Sequence, residues 1–171
     1  MPHDRIETAW THCRDWVSIY DGMVTETYFL DIHGSNLIST LAAIQDSSIS
    51  FSLAPEWREE EWATDLSIED VVRKTHSPDY TSFEVDYVTS EPGFDLTIRL
   101  LIDRAEPGLF DADAVWCSDR VFPSGIDIQK RFRDLLRYFL GLQESFKSSR
   151  VFIAPENCED PREAQSPWLE I

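Results

Sequence analysis

The sequence predicts an α+β domain in which a mainly antiparallel sheet carries helices packed on one face, with a long amphipathic helix near the C-terminus. Segments with an apolar residue at every second position alternate along the chain with segments in which apolar residues recur every three or four positions. Two of the strongest strand patterns are joined by a turn sequence at residues 90–93, which indicates an antiparallel hairpin. With 171 residues, 42% of them hydrophobic, the chain is large enough to bury one core.

The N-terminal third predicts two helices and two strands in alternation. Apolar residues at helical spacing predict a first helix, and they are Ile6, Trp10, Cys13, Val17 and Tyr20. Alternation over residues 25–32 predicts a strand. Residues 37–44 predict a short helix, with Ser35 or Asn36 as its cap. Apolar residues alternate with serines over residues 49–53, which predicts a second strand with one wet side.

The middle of the chain predicts a short helix followed by the hairpin. Ser67 and Asp70 have the spacing of a capping box, so the helix is expected to begin at Ile68. Strong alternation over residues 83–88 and 95–102 then predicts the two hairpin strands.

The C-terminal third predicts an edge strand, the long helix and a final strand. An Asp-rich connection that contains Pro107 and Gly108 leads to an edge strand over residues 115–121. Apolar residues recur at helical spacing over residues 127–147, and at about 1.5 Å per residue this helix would span about 31 Å. Residues 151–154 predict a short last strand.

We expect residues 1–155 to form one domain and residues 156–171 to form an acidic, proline-containing tail. The three cysteines, Cys13, Cys117 and Cys158, are an odd number at wide spacing, which suits neither a disulfide framework nor a zinc site. The first residues are polar where a secretory peptide needs an apolar core, and no apolar run reaches the length of a membrane span. These features predict a cytoplasmic protein.

The charge of the chain limits its partners. There are 32 Asp and Glu against 15 Lys and Arg, which gives a net charge of -17. Such a surface repels phosphate backbones and anionic lipid, so binding to nucleic acid or membrane is disfavoured and a cationic partner is favoured. The acidity is regional, because residues 54–119 hold 17 acids and 5 bases, whereas residues 127–150 hold 3 acids and 6 bases.

The stretch from Glu56 to Asp65 contains two tryptophans that flank three consecutive glutamates, and we interpret it as a docking surface for a cationic protein. Five positions separate the tryptophans, about 140° of helical rotation, so a helix would not bury both on one narrow stripe. The alternatives are that both rings pack in the core and that the acids form a solvated face. The predicted partner-binding residues are Glu56, Trp57, Glu59, Glu60, Glu61, Trp62 and Asp65.

Motifs of known catalytic machinery are absent: the chain has no nucleophile elbow, P-loop, dinucleotide fingerprint or zinc-binding His-Glu-x-x-His helix. Asp31 and His33 form the best acid–imidazole pair, since alternate strand residues share a face, but no third group defines a reaction. His12 and Cys13 are adjacent on a helix and point about 100° apart, so Cys13 is expected to pack in the core.

We expect neither a cofactor nor a metal ion. Asp111 and Asp113 have the spacing of the first two ligands of a calcium loop. However, Trp116 stands where an EF-hand loop requires glycine, and the terminal glutamate is missing.

These observations predict a non-enzymatic, acidic cytoplasmic protein that neutralises a basic protein by covering its active or nucleic-acid-binding surface. A bacterial immunity protein that inhibits its cognate toxin is the concrete form of this hypothesis. Two alternatives stay open: a small hydrolase or ligand-binding enzyme that uses Asp31, His33 and nearby carboxylates, and a structural subunit of a larger assembly. A deep pocket with perturbed titratable groups would favour the enzyme, and a flat acidic surface would favour the binding protein. The oligomeric state is left open.

Overall fold

The computed structural model describes residues 2–17, 24–55, 67–75, 81–155 and 169–171. Within these ranges seven strands form one sheet of order β2-β3-β4-β5-β1-β6-β7, and every neighbouring pair is antiparallel. The strands are β1 (Val24–His33), β2 (Ser50–Pro55), β3 (Ser82–Thr89), β4 (Leu96–Glu106), β5 (Leu109–Cys117), β6 (Arg150–Pro155) and β7 (Leu169–Glu170). The helices are α1 (Pro2–Val17), α2 (Gly34–Ser47), α3 (Ile68–Lys74), α4 (Ser118–Val121) and α5 (Ile128–Phe146).

Helices pack against one face of the sheet and enclose an aromatic core. The buried stripe of α5 contains Phe132, Leu135, Leu136, Phe139, Leu142 and Phe146. The ring of Phe139 lies 6.3 Å from that of Phe29 on β1 and 6.2 Å from that of Trp116 on β5. Helix α1 lies along α5, where Trp10 and Phe132 have their ring centroids 5.4 Å apart. The predicted α+β class, with helices on an antiparallel sheet, is confirmed.

Two of the predicted helix starts are confirmed by capping hydrogen bonds. The Oγ atom of Ser67 accepts a hydrogen bond from the backbone N–H of Asp70 at 3.2 Å, and its hydroxyl donates to the Asp70 carboxylate at 2.8 Å. At the start of α5, Asp127 Oδ1 accepts from the backbone N–H of Lys130 at 3.0 Å. Side-chain acceptors of this kind satisfy N–H groups that have no partner within the helix.

Replacing Asp127 with alanine is therefore expected to lower the free energy of unfolding by about 1 kcal/mol, because the N–H of Lys130 loses its acceptor. Urea denaturation followed by circular dichroism measures this loss. Asp127→Asn keeps an acceptor oxygen and should stay close to the parent. Equal losses in the two variants would show that the charge, and not the cap, provides the stability.

The start of α2 differs from the prediction. The helix begins at Gly34, and neither Ser35 nor Asn36 is its cap; the residue before it, His33, makes no capping hydrogen bond through its side chain. Gly34 is held against β5, since its N–H donates to Gly108 O at 3.1 Å and an added Cβ would lie 3.3 Å from the Phe110 ring. Close packing at this glycine, and not a polar cap, fixes where the helix starts.

The predicted edge strand over residues 115–121 is wrong. β5 starts at Leu109, ends at Cys117 and lies in the middle of the sheet between β4 and β1, while Val121 belongs to α4. Pro107 and Gly108 form the turn of the β4–β5 hairpin, with Gly108 at φ 83. Aspartates have low strand propensity, so local composition indicated a loop, but pairing with a long strand on each side overrides that preference.

Candidate protein-binding surface

The second face of the sheet, here called the outer face, is formed by the side chains that alternate with those facing the helices. Away from the two bulges, strand register places six acids on it along the four central strands, β3, β4, β5 and β1. These acids are Glu26, Glu84, Asp86, Asp103, Asp111 and Asp113. The outer-face positions of the same strands carry one basic residue, Arg99. The acidity of residues 54–119 is therefore in part concentrated on one side of the sheet.

The arginines of the outer face are already engaged by acids. Arg99 Nε and Nη2 donate to the two carboxylate oxygens of Asp86 at 2.9 and 3.3 Å, and Arg99 Nε lies 3.7 Å from Glu84 Oε2. On β6, Arg150 donates to both oxygens of Glu170 at 3.0 and 2.7 Å. Both pairs are about half exposed and add little to stability. These ion pairs hold the charged end of Arg99 beside β3 and that of Arg150 beside β7, so both positive charges lie away from the centre of the sheet.

Asp113 occupies the centre of this face. It is 4% exposed, and its cross-strand neighbours are Tyr28 on β1 and Leu101 on β4. Within the described part of the chain, its buried Oδ1 atom has no hydrogen-bond partner. Burial, followed by the negative charges of Glu26 and Asp103, raises the pKa of Asp113 to about 8.

This environment gives Asp113 a distinctive chemical character. Below its pKa the side chain is a neutral carboxyl group, which avoids placing an unpaired charge in a buried position. A cation that came within a few ångströms would favour the ionised form and lower that pKa. Groups with strongly shifted pKa values are concentrated at functional sites, which include binding sites.

Asp31 has a structural role beside this centre. It lies at a bulge in β1 and adopts φ 59, a left-handed conformation that aspartate tolerates better than most residues. Its backbone N–H donates to Asp111 Oδ1 at 3.0 Å, and its carboxylate accepts from Ser149 Oγ at 2.5 Å. These bonds tie the bulge to β5 and to the start of β6. They are not the orienting bond to His33 that a catalytic pair requires.

A cavity of about 510 Å³ between α1 and α5 is separate from the perturbed carboxyl group. Ile6, Glu7, Arg133 and Leu140 are among the residues that line it, and Arg133 Nε donates to Glu7 Oε1 at 2.7 Å. Asp113 lies on the opposite side of the sheet from these helices. An acid–base active site needs a cavity that contains titratable groups with shifted pKa values. The cavity between α1 and α5 and the carboxyl group of Asp113 lie apart, so together they do not form such a site.

The seven predicted partner-binding residues, from Glu56 to Asp65, lie outside the described residues, so their role stays a prediction. Cys13 is 1% exposed in the core, where burial raises its pKa to about 12, as expected for a packing residue. Asp111 and Asp113 lie within a strand and not in a calcium loop. Among the described residues, no group of three or more His, Cys, Asp or Glu is placed to hold a metal ion, and no helix is long and apolar enough to cross a bilayer.

Sequence reasoning missed the outer-face acids because they come from four different strands. One weak local signal was present in β5, where acidic or small apolar residues alternate with aromatic residues and alanines. The outer-face series is Asp111, Asp113, Val115 and Cys117, and the helix-facing series is Phe110, Ala112, Ala114 and Trp116. This alternation is typical of a strand with acids on one side.

Comparison with known proteins gives a fold relationship. No family model matches the chain, and no curated protein matches its sequence. In three dimensions the chain is similar to a chain in the crystal structure of the toxic C-terminal tip of CdiA from Pseudomonas aeruginosa in complex with immune protein. The TM-score is 0.58 at 15% sequence identity, over 79% of this chain and 87% of that chain. The similarity establishes a shared fold.

Proposed function

We propose that this chain is a non-enzymatic binding protein that neutralises a basic protein partner in the cytoplasm, in the manner of an immunity protein that inhibits its toxin. The observation that carries this proposal is the outer face, where six acids, the buried Asp113 among them, and one arginine lie along four central strands. A surface of this sign attracts a cationic protein over long range and disfavours anionic ones.

The fold relationship supports the same proposal. The solved complex pairs a toxic protein with an immune protein, and this chain has the fold of one of its chains. Of the two roles, the net charge of -17 favours the inhibitory one, because an acidic protein can cover a basic active surface and compete with its substrate. We propose a toxin or effector domain as the basic partner.

A protection assay tests this function. The partner is first captured by crosslinking in the native host and identified by mass spectrometry, and it is then expressed from an inducible promoter in a test bacterium. We expect expression of the partner alone to reduce the number of colony-forming units by orders of magnitude and co-expression of this chain to restore it. An acidic or harmless partner, or continued killing despite formation of the complex, would contradict the proposal.

The stretch from Glu56 to Asp65 is proposed as a second part of the contact, and it is tested by binding kinetics. Reversing Glu59, Glu60 and Glu61 to lysine should mainly slow association with the partner and weaken its salt dependence, because rim charges act through long-range attraction. Trp57→Ala or Trp62→Ala should instead speed dissociation, with an expected loss of roughly 2 kcal/mol or more for an aromatic anchor.

Surface-immobilised kinetics at two salt concentrations separate these effects. A matched control reverses three exposed acids on helices, Asp46, Glu69 and Glu144, and so changes the net charge equally. If this control slows association as much as the Glu59–Glu61 variant, the total charge matters and the local patch does not. Unchanged association and dissociation rates in both the glutamate and the tryptophan variants would exclude the stretch from Glu56 to Asp65 from the interface.

A further inference from the structure

The centre of the outer face combines three features of a binding slot for a cationic side chain. First, Asp113 presents a buried carboxyl oxygen that has no hydrogen-bond partner among the described residues. Second, the flanking side chains of Tyr28 and Leu101 are half-buried, and they provide an aromatic and an aliphatic wall. Third, Glu26 and Asp103 lie close enough for their charges to act on Asp113.

We propose that a cationic side chain of the protein partner inserts between Tyr28 and Leu101 and forms an ion pair with Asp113. This inference rests on the proposed function, because it names the point at which the basic partner is held. The apolar walls would cover the methylene stem of an arginine or lysine, and the Tyr28 ring would attract its charged end. The side chains of Tyr28 and Leu101 move apart and give the incoming cationic group access to the buried Asp113 Oδ1.

The two arginines on the outer-face strands, Arg99 and Arg150, form no ion pair with this carboxyl group. Arg99 is held in a two-point contact with Asp86, and Arg150 is held in a two-point contact with Glu170. Moving either arginine to Asp113 would break two charge-assisted hydrogen bonds to make others of the same kind. An external cation makes the new pair without that loss, and it does so in a desolvated position where the attraction is strong.

Binding at this slot releases a proton. As the cation enters, the O–H bond of the Asp113 carboxyl group breaks, the proton passes to the solvent buffer, and the carboxylate pairs with the cation. The charged or titratable groups that face Asp113 from its own strand and from the two strands beside it are Glu26, Tyr28, Arg99, Asp103, Asp111 and Cys117. Since burial and the nearby acids raise the pKa of Asp113 to about 8, the carboxyl group is mainly protonated at pH 7, and binding should release close to one proton.

Calorimetry with a hexa-arginine peptide tests the slot on the purified protein. Titrations at pH 7 in phosphate and in Tris, whose ionisation enthalpies differ, give the number of protons released per peptide bound. We expect close to one proton for the parent protein and none for Asp113→Asn, together with a loss of affinity of at least about fivefold. Asp46→Asn makes the same substitution at an exposed position on α2 and should behave as the parent. Hexacitrulline, the uncharged counterpart of the peptide, should not bind.

Two outcomes overturn the inference: proton release and affinity that are unchanged in Asp113→Asn, or no binding of hexa-arginine to the parent at about 1 mM, the range of weak association. The protection assay distinguishes failure of the slot from failure of the proposed function. If Asp113→Asn protects fully and the peptide test fails, the slot is excluded and the inhibitory function stands. If the parent chain itself fails to protect, the proposed function is wrong whatever the peptide shows.

Discussion

Replacing Phe139 with alanine is expected to lower the free energy of unfolding by about 3 to 5 kcal/mol. Phe139 is 0% exposed, and its ring centroid lies 6.3 Å from that of Phe29, 6.2 Å from that of Trp116 and 5.6 Å from that of Tyr138. Truncation removes contacts between α5 and two central strands, and it leaves a cavity that the surrounding rings fill only in part. Urea unfolding monitored by far-ultraviolet circular dichroism measures the loss.

Leu140→Ala provides the matched control, since Leu140 is the next residue of α5 and is only partly buried. Its loss should be at most about half that of Phe139→Ala, because less apolar surface returns to water. Alanine is the best helix former, so helix propensity cannot cause a loss at either position. Similar losses would mean that Leu140 contributes as much packing to the core as Phe139. A change below about 0.5 kcal/mol at Phe139 is typical of surface substitutions and would contradict the assigned core face.

Helix α5 and the β3–β4 hairpin could be predicted from the sequence because their determinants are local. The apolar stripe of α5 lies within one segment, and the aspartate that starts the helix precedes it directly. The hairpin is fixed by two alternating strands and by the turn between them, in which Gly93 adopts φ 84 and its N–H donates to Ser90 O at 2.9 Å. Periodicity and turn chemistry report features of this kind directly.

β5 could not be predicted because its conformation depends on distant partners. Asp111 and Asp113 would favour a turn in an isolated segment. In the folded chain, β5 pairs with β4 on one side and with β1, which is separated by about 80 residues, on the other. The helix-facing residues Phe110 and Trp116 anchor the strand in the core, so the aspartates are carried onto the outer face. Long-range pairing thus prevails over local preference.

The candidate binding residues also divide into those that the local sequence reveals and those that long-range strand pairing brings together. The charge density of residues 56–65 is visible in the sequence, because its acids and tryptophans lie within one short segment. The outer-face acids become a group only through strand register, which brings Glu26, Asp103 and Asp113 together from three strands. Burial of a carboxyl oxygen without a hydrogen-bond partner is also a tertiary property, and among the described acids it distinguishes Asp113.

Asp113→Asn is expected to stabilise the protein by about 2 to 4 kcal/mol at pH 7, because the amide removes an ionisable group whose charged form is disfavoured in the folded state. The pKa of this carboxyl group rises from its ordinary value of 3.8 to about 8 on folding. Between these values the folded state binds a proton that the unfolded state does not, so the stability of the parent falls as pH rises. Urea unfolding at a series of pH values measures the difference.

The pH dependence distinguishes titration of the Asp113 carboxyl group from a pH-independent effect of the substitution on stability. The contribution of Asp113 is fully present below pH 3.8 and is lost as pH rises through about 8, so the stability gap between Asp113→Asn and the parent should widen from pH 4 to pH 8 and then level off. The exposed control Asp46→Asn should show no such widening. A gap that stays constant over this range would mean that Asp113 is already ionised in the folded protein at acidic pH. The carboxyl group would then have no proton to release at pH 7, and proton-linked binding of a cation at the outer face would lose its physical basis.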